Sequence, residues 1–249
     1  MGRIAVLSDV HGNLEAFEAV VQALAVEQVD RVILLGDLVG YNANPRECLR
    51  LAQRQGFSSI LGNHDLATLE PSAAEGFNVL AYEAIKYVHS QLAAEDLRYL
   101  RALPRVEVLW DRYVMCHGTP ESVDTYIFNP HQAKRIFNLL RRSFAGIRIC
   151  FFGHTHMQRL WLRDARGKVT APGIAHNTVI LDPEHMYLIN PGSVGQPRQH
   201  DNRAHYLIFD ITTESVSFKA VPYDIGKAQQ KIRQARLPEY LASRLQDGI

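Results

Sequence analysis

Asp9 and His11 stand two residues apart, as do His154 and His156, and between them lie Asp37, the run Asn63-His64-Asp65, and His117. Carboxylates and imidazoles without cysteine are the donors favoured by borderline divalent cations such as Mn²⁺, Fe²⁺ or Zn²⁺. Each piece alone has an ordinary reading. An Asp-x-His pair arises by chance, and Gly-Asp or Gly-Asn-His-Asp suits a polar turn. A histidine before Gly118 is commonly a satisfied core residue, and alternation along a strand can leave His154 and His156 on one solvated face. What precedes each piece separates these readings from a metal site.

Each polar group follows a short apolar run. RIAVLS (3–8) leads into Asp9 and His11, RVILLG (31–36) into Asp37, and SSILG (58–62) into Asn63. RYVMC (112–116) leads into His117, and RICFFG (148–153) into His154 and His156. Helical patterns separate the first three runs. One covers Leu14 to Val26 with Asn13 as N-cap, and one covers Pro45 to Gln55, opening on proline and stopping at Gly56. Strand-helix-strand alternation predicts βαβ units and a largely parallel sheet, with the strand tips on one edge where such folds bind ligands. Seven candidate ligands would meet there: Asp9, His11, Asp37, Asn63, His117, His154 and His156. Unpaired carboxylates and imidazoles gathered this way are costly without a cation. Seven donors exceed the needs of one ion with open positions. They fit two ions about 3.5–4 Å apart bridged by a carboxylate, with Asp37 the natural bridge.

The rest of the chain supplies the frame. A mostly helical stretch runs from Asn78 to Leu103, a helix from Pro130 to Arg142, and a further helical segment from Gly226 to Leu245 with a break at Pro238. RLWLRD-ARG-KVTA and AHYLIFDI-TTE-SVSFKAV read as hairpins, and MYLINPGS (186–193) as another strand. No repeat or linker divides the chain, so the expectation is one α/β domain over residues 1–249 with an antiparallel contribution near its C-terminal end. A formal net charge of +1 argues against obligate nucleic-acid or membrane-surface binding. No apolar run approaches a membrane span. The three cysteines, Cys48, Cys116 and Cys150, are scattered and suit reduced core thiols better than a disulfide framework. A cytoplasmic location is expected, and the C-terminal segment leaves a homo-oligomer possible.

Asp9-x-His11, Gly36-Asp37, Gly62-Asn63-His64-Asp65, His117 and Gly153-His154-Thr155-His156, in this order, resemble the calcineurin-like metallophosphoesterase superfamily. DVHGN and NPGSVGQPR are similar to its bacterial and archaeal branch of small phosphodiesterases and diadenosine-tetraphosphatase-like proteins. The resemblance implies two mixed β-sheets in a sandwich flanked by helices, with the metals at the sheet edge. It implies one ion on Asp9, His11, Asp37 and His156, and a second sharing Asp37 and adding Asn63, His117 and His154. It makes His64 the proton donor to the leaving oxygen, while a water activated by the ions attacks phosphorus. An ordinary imidazole, titrating near 6.5, can donate a proton near neutral pH.

Two departures narrow the substrate. The superfamily's protein phosphatases carry an Asp-Arg-Gly motif where Gly40 and Tyr41 stand here, and an arginine where this chain has Leu61-Gly62. Without those guanidiniums, phosphodiesters or nucleotide polyphosphates are favoured over phosphomonoesters. The first departure also removes the aspartate that orients the catalytic histidine. Arg198 is the remaining candidate for substrate binding, and the amides of Gly192, Ser193 and Gly195 could serve an anion. Tyr126 and Phe128 could stack on a base or belong to the core or a dimer contact. His89, His131, His176, His185, His200 and His205 match no motif and read as ordinary histidines, His200 being closest to Arg198. The alternatives are a phosphomonoesterase or protein phosphatase, and a non-catalytic regulatory module that retains the metals.

Overall fold

Alternation within the apolar runs builds four layers. In β1 (Arg3–Leu7), Ala5 and Leu7 face helices, while Ile4 and Val6 face a second sheet. β5 (Tyr113–Cys116) and β6 (Ile149–Phe151) repeat this: Tyr113, Met115, Ile149 and Phe151 point inward, and Val114, Cys116 and Cys150 outward. Both faces of each strand are buried, so the runs are continuously apolar. The structure, a computed structural model, describes residues 2–174 and 178–249, so His176 lies outside the described residues.

Among the described residues the strands form two six-stranded mixed sheets. The first joins β1, β2 (Arg31–Leu34), β3 (Ser58–Ser59), β9 (Thr178–Ile180), β11 (Ala204–Asp210) and β12 (Ser215–Val221) in the order β3-β2-β1-β11-β12-β9. The second joins β4 (Val106–Leu109), β5, β6, β7 (Gln158–Arg163), β8 (Val169–Thr170) and β10 (Met186–Pro191) in the order β4-β5-β6-β10-β7-β8. Pairs β1–β2, β2–β3, β5–β6 and β6–β10 are parallel. The expected hairpins appear as β7–β8 and β11–β12. The single parallel edge expected from the strand tips is thus divided: β1, β2 and β3 serve one sheet, β5 and β6 the other.

The sheets meet through a layer holding Phe209 on β11, 5.2 Å from Tyr113 and 5.4 Å from Phe151 between ring centres. α1 (Leu14–Glu27) and α2 (Pro45–Arg54) cover the first sheet, and α6 (Pro130–Ser143) the second. Asn13 caps α1 as expected, accepting from the Ala16 N–H at 3.1 Å. The predicted helical stretch divides into α4 (Val79–Gln91) and α5 (Ala94–Ala102). The C-terminal segment forms α7 (Ile225–Gln234) and α8 (Glu239–Asp247), parted at Pro238 as expected. Beside the site, one helix was not foreseen. Asn63, His64 and Asp65 open a short helix, α3 (Asn63–Leu69), instead of a polar turn.

Candidate metal centre

Every residue of the expected set reaches one buried spot between the two sheet edges. Asp9, His11 and Asp37 follow β1 and β2, Asn63 and His64 open α3 beyond β3, and His117, His154 and His156 follow β5 and β6. Asp9, His11, Asp37, His154 and His156 all hold left-handed backbone, with φ of 56°, 49°, 53°, 64° and 59°. Each such residue other than glycine costs on the order of 1 kcal/mol or more, and such strain gathers at functional sites.

The turns lock one another. The Asp65 carboxylate accepts N–H bonds from Asp37 (2.8 Å), Val39 (3.2 Å) and Gly62 (3.0 Å), tying the β2 tip to the start of α3. That is its role here. It does not orient the neighbouring imidazole. Asp37 Oδ1 accepts the His64 N–H at 2.8 Å. A Cβ on Gly62 would lie 2.1 Å from that carboxylate oxygen, so only glycine lets the two turns close.

The rings are aimed by backbone carbonyls. The Nδ1–H groups of His11, His117 and His156 donate to the carbonyls of Val39 (3.1 Å), Leu35 (2.7 Å) and Gln196 (2.6 Å). In the neutral ring this leaves the Nε2 lone pair free, the arrangement usual for metal-binding histidines. His11 Nε2 and His156 Nε2 lie 3.1 Å apart, and two lone pairs so close repel unless a proton or cation intervenes. Asp37 Oδ2 lies 3.5 Å from His11 Nε2 and 3.3 Å from His117 Nε2, and Asp9 Oδ1 lies 3.3 Å from His156 Nε2. Both carboxylate oxygens are buried without a hydrogen-bond partner. Asn63 Oδ1 lies 3.0 Å from His117 Nε2, and the ring of His154 packs against His117 at 5.0 Å. The groups form three overlapping triads, Asp9-His11-His156, His11-Asp37-His64 and Asp37-His117-His154. Buried lone pairs and unpaired carboxylate oxygens fit two divalent cations.

Titration without metal points the same way. Burial, partly offset by His117 and reinforced by Asp37, pushes Asp9 up to about 6. Burial pulls His117 down, but Asp37 outweighs it and raises the ring to about 10. Against its own burial, Asp37 is held well below the usual carboxylate range by His117 and His64. Without a cation, a proton on His117 takes up the charge.

His64 departs from expectation. Burial lowers it to about 4, so it is neutral near pH 7. Its Nδ1 is buried with no partner. In place of a carboxylate, aromatic rings hold it, with Tyr41 at 4.5 Å, Phe77 at 4.8 Å and His11 at 4.7 Å. A Cβ on Gly40 would come within 2.5 Å of Nδ1, so the position that carries the orienting aspartate elsewhere has no room for one here.

The donors open on a cleft of about 320 Å³ bordered by Tyr41, Asn63, His64, Phe77, Asp124, Tyr126 and His154. Tyr126 stacks on His154 at 3.9 Å and Phe128 on Tyr126 at 4.9 Å, a ladder of rings leading outward. Arg198 reaches this side too, its guanidinium carbon 5.9 Å from the Tyr41 ring centre. Two of the three amides considered for an anion are already spent. The Gly195 N–H donates to the Asp9 carbonyl and that of Gly192 to Asn190 Oδ1, both at 2.9 Å, because this loop buttresses the β1 tip. His200 is exposed, and His205 is buried 3.2 Å from Asp201, away from the donors. All three cysteines are buried and free.

Residues 3–214 match the sequence profile of the calcineurin-like phosphoesterase superfamily domain. The chain belongs to that superfamily. A metallophosphoesterase from Sphaerobacter thermophilus is similar in structure, with 37% identity, a TM-score of 0.83, and 100% of this chain and 99% of that one covered. A hypothetical protein from Pyrococcus horikoshii shares the fold at 20% identity and a TM-score of 0.80, with 100% and 99% covered. An uncharacterised protein of Methanocaldococcus jannaschii is 35% identical over 247 residues, 97% of this chain and 96% of its own length. The buried clusters thus sit within a calcineurin-like fold and are consistent with a dinuclear metal site. No helix among the described residues is long and apolar enough to cross a membrane.

Proposed function

We propose that this protein is a two-metal phosphoesterase that hydrolyses phosphodiesters or nucleotide polyphosphates. The reading rests on one observation: two buried, unpartnered carboxylate oxygens and converging imidazole nitrogens beside an open cleft. Asp9, His11, Asp37 and His156 would hold one cation. Asp37, Asn63, His117 and His154 would hold the other, with Mn²⁺, Fe²⁺ or Zn²⁺ the suitable ions. When bound, the cations neutralise phosphate charge and acidify water.

The chain's own part follows from the geometry. The Nδ1–H bonds to Val39, Leu35 and Gln196 fix the ligand rings before substrate arrives. His64 faces the cleft beside Asn63 and serves the leaving oxygen. Burial keeps it neutral in the empty site, and the negative charge of a bound phosphate would draw a proton onto it. Tyr41 and Phe77 hold its ring, as no carboxylate does.

The test is hydrolysis of bis(p-nitrophenyl) phosphate by metal-stripped protein titrated with Mn²⁺, Fe²⁺ and Zn²⁺, with p-nitrophenyl phosphate as the monoester. Activity restored by metal and favouring the diester is expected, with His64→Ala costing on the order of 10²–10⁴ on a diester whose poor alkoxide leaving group needs a proton. Asp37→Ala should cost more, because both cations lose a donor. Full activity and full metal occupancy in Asp37→Ala would refute the shared carboxylate. Preference for the monoester would replace the diester reading.

A further inference from the structure

α7 and α8 lie beyond residues 3–214, the part matched to the superfamily profile. They pack on the Tyr41 wall of the cleft, where Leu241, Ala242 and Leu245 share a buried cluster with Tyr41 and Ala81. The last turn of α8 is bonded to the loop that carries Arg198. The His200 N–H donates to the Gly248 carbonyl at 2.9 Å, and Asn202 Nδ2 to the Gln246 carbonyl at 2.9 Å. Arg244 stands on the same helix face as Leu241 and Leu245. Through those two bonds α8 holds Arg244 beside the loop of Arg198.

No Asp or Glu carboxylate lies within 4.0 Å of either guanidinium among the described residues. Arg198 donates to Gln196 Oε1 at 3.1 Å, and its Nε is buried without a partner. Arg244 donates Nε–H to an oxygen of Ile249. Burial, and after it the positive charge of Arg198, push Arg244 below its ordinary value. Two half-buried guanidiniums on elements bonded to each other, neither with an Asp or Glu partner, suit an anion, and phosphate matches their paired N–H groups. Tyr41 spans the gap to the reacting centre. Its ring lies 5.9 Å from the Arg198 guanidinium carbon and 4.5 Å from His64.

We propose that Arg198 and Arg244 form a second phosphate subsite beside the metal centre, and that the substrate carries a polyphosphate chain. One phosphorus would lie at the metals and a neighbouring phosphate between the two guanidiniums. This rests on the two-metal phosphoesterase reading and narrows its substrate class.

Calorimetric binding of orthophosphate and tripolyphosphate to metal-loaded protein tests it, with free Mn²⁺ equal and saturating in cell and syringe. Tripolyphosphate should bind at least about tenfold more tightly than orthophosphate, the usual worth of one further charge-assisted contact. Arg244→Gln should reduce that preference to within about threefold, and Arg244→Lys should fall between. Metal content and melting temperature, measured on each variant, confirm an intact fold and site. Equal binding of the two anions by the unaltered protein would overturn the proposal, whether or not the variants fold. So would an unchanged preference in a folded Arg244→Gln. Failure to turn over bis(p-nitrophenyl) phosphate strikes the phosphoesterase reading instead, and the binding ratio is still read.

Discussion

The histidines here show how far one residue type diverges with its surroundings. His117 is raised to about 10 mainly because Asp37 outweighs its burial, whereas His64, close by, is lowered to about 4 by burial. A cation entering the site must displace the proton on His117, and at lower pH one on Asp9, which titrates near 6. Protons bound in the metal-free site compete with metal, so apparent affinity rises with pH between about 6 and 10. The rise can reach about tenfold per pH unit for each proton released. Calorimetric titration of metal in two buffers of different ionisation enthalpy measures the release, expected on the order of one proton near pH 8. Identical heats in the two buffers would contradict it. The rings around His64 give a second prediction at this scale. Phe77→Ala frees one face of the imidazole, so a poor alkoxide leaving group should depart about tenfold more slowly. A p-nitrophenolate, which needs no proton, should slow by less than about threefold. Equal slowing of both would mean that Phe77 only supports the fold.

Among the elements, the junction of β2 with α3 bears most directly on the site. Asp65 accepts three backbone N–H groups there, and each left buried and unpaired costs about 1–3 kcal/mol. Asp65→Ala should therefore destabilise the metal-free protein by about 3 kcal/mol or more, and Asp65→Asn by less. Denaturant midpoints at a constant slope check this, and a loss under about 1 kcal/mol would show that water replaces the carboxylate. The same junction marks where the sequence was readable and where it was not. The polar groups at the strand ends stood out because five apolar runs stop the same way. α3 did not, because Gly-Asn-His-Asp suits a turn and seven residues give too few turns of helix to show a period. β4 and β9 escaped for a related reason: short strands are defined by their partners. Gly192 and Gly195 looked free to bind an anion, yet their N–H groups are spent on Asn190 and Asp9. Arg244 carried no local signal, since its meaning comes from α8 docking on a loop over 40 residues away in sequence.

For the molecule as a whole, the layer between the sheets sets the stability on which the site depends. Phe209 is fully buried there against Tyr113 and Phe151. Phe209→Ala should cost about 3–5 kcal/mol, which in a protein of this size lowers the melting temperature by about 6–20 °C. The comparison belongs in metal-free protein, because bound metal adds its own stabilisation. A shift under about 3 °C would mean that the layer closes over the gap.

The division of the site between two sheets also bears on how the protein comes to be folded. Its donors include His11 and His156, 145 residues apart in the chain, and neither sheet alone carries a complete set. A cation cannot then nucleate folding, since nothing short of the docked pair of sheets presents enough donors to hold it. Metal must arrive late, on a chain already folded against the strain of five left-handed turns, and afterwards it acts as a staple across the two sheets. It would slow their parting far more than it hastened their meeting, so loading should lengthen the life of the folded state with little effect on the rate at which that state forms.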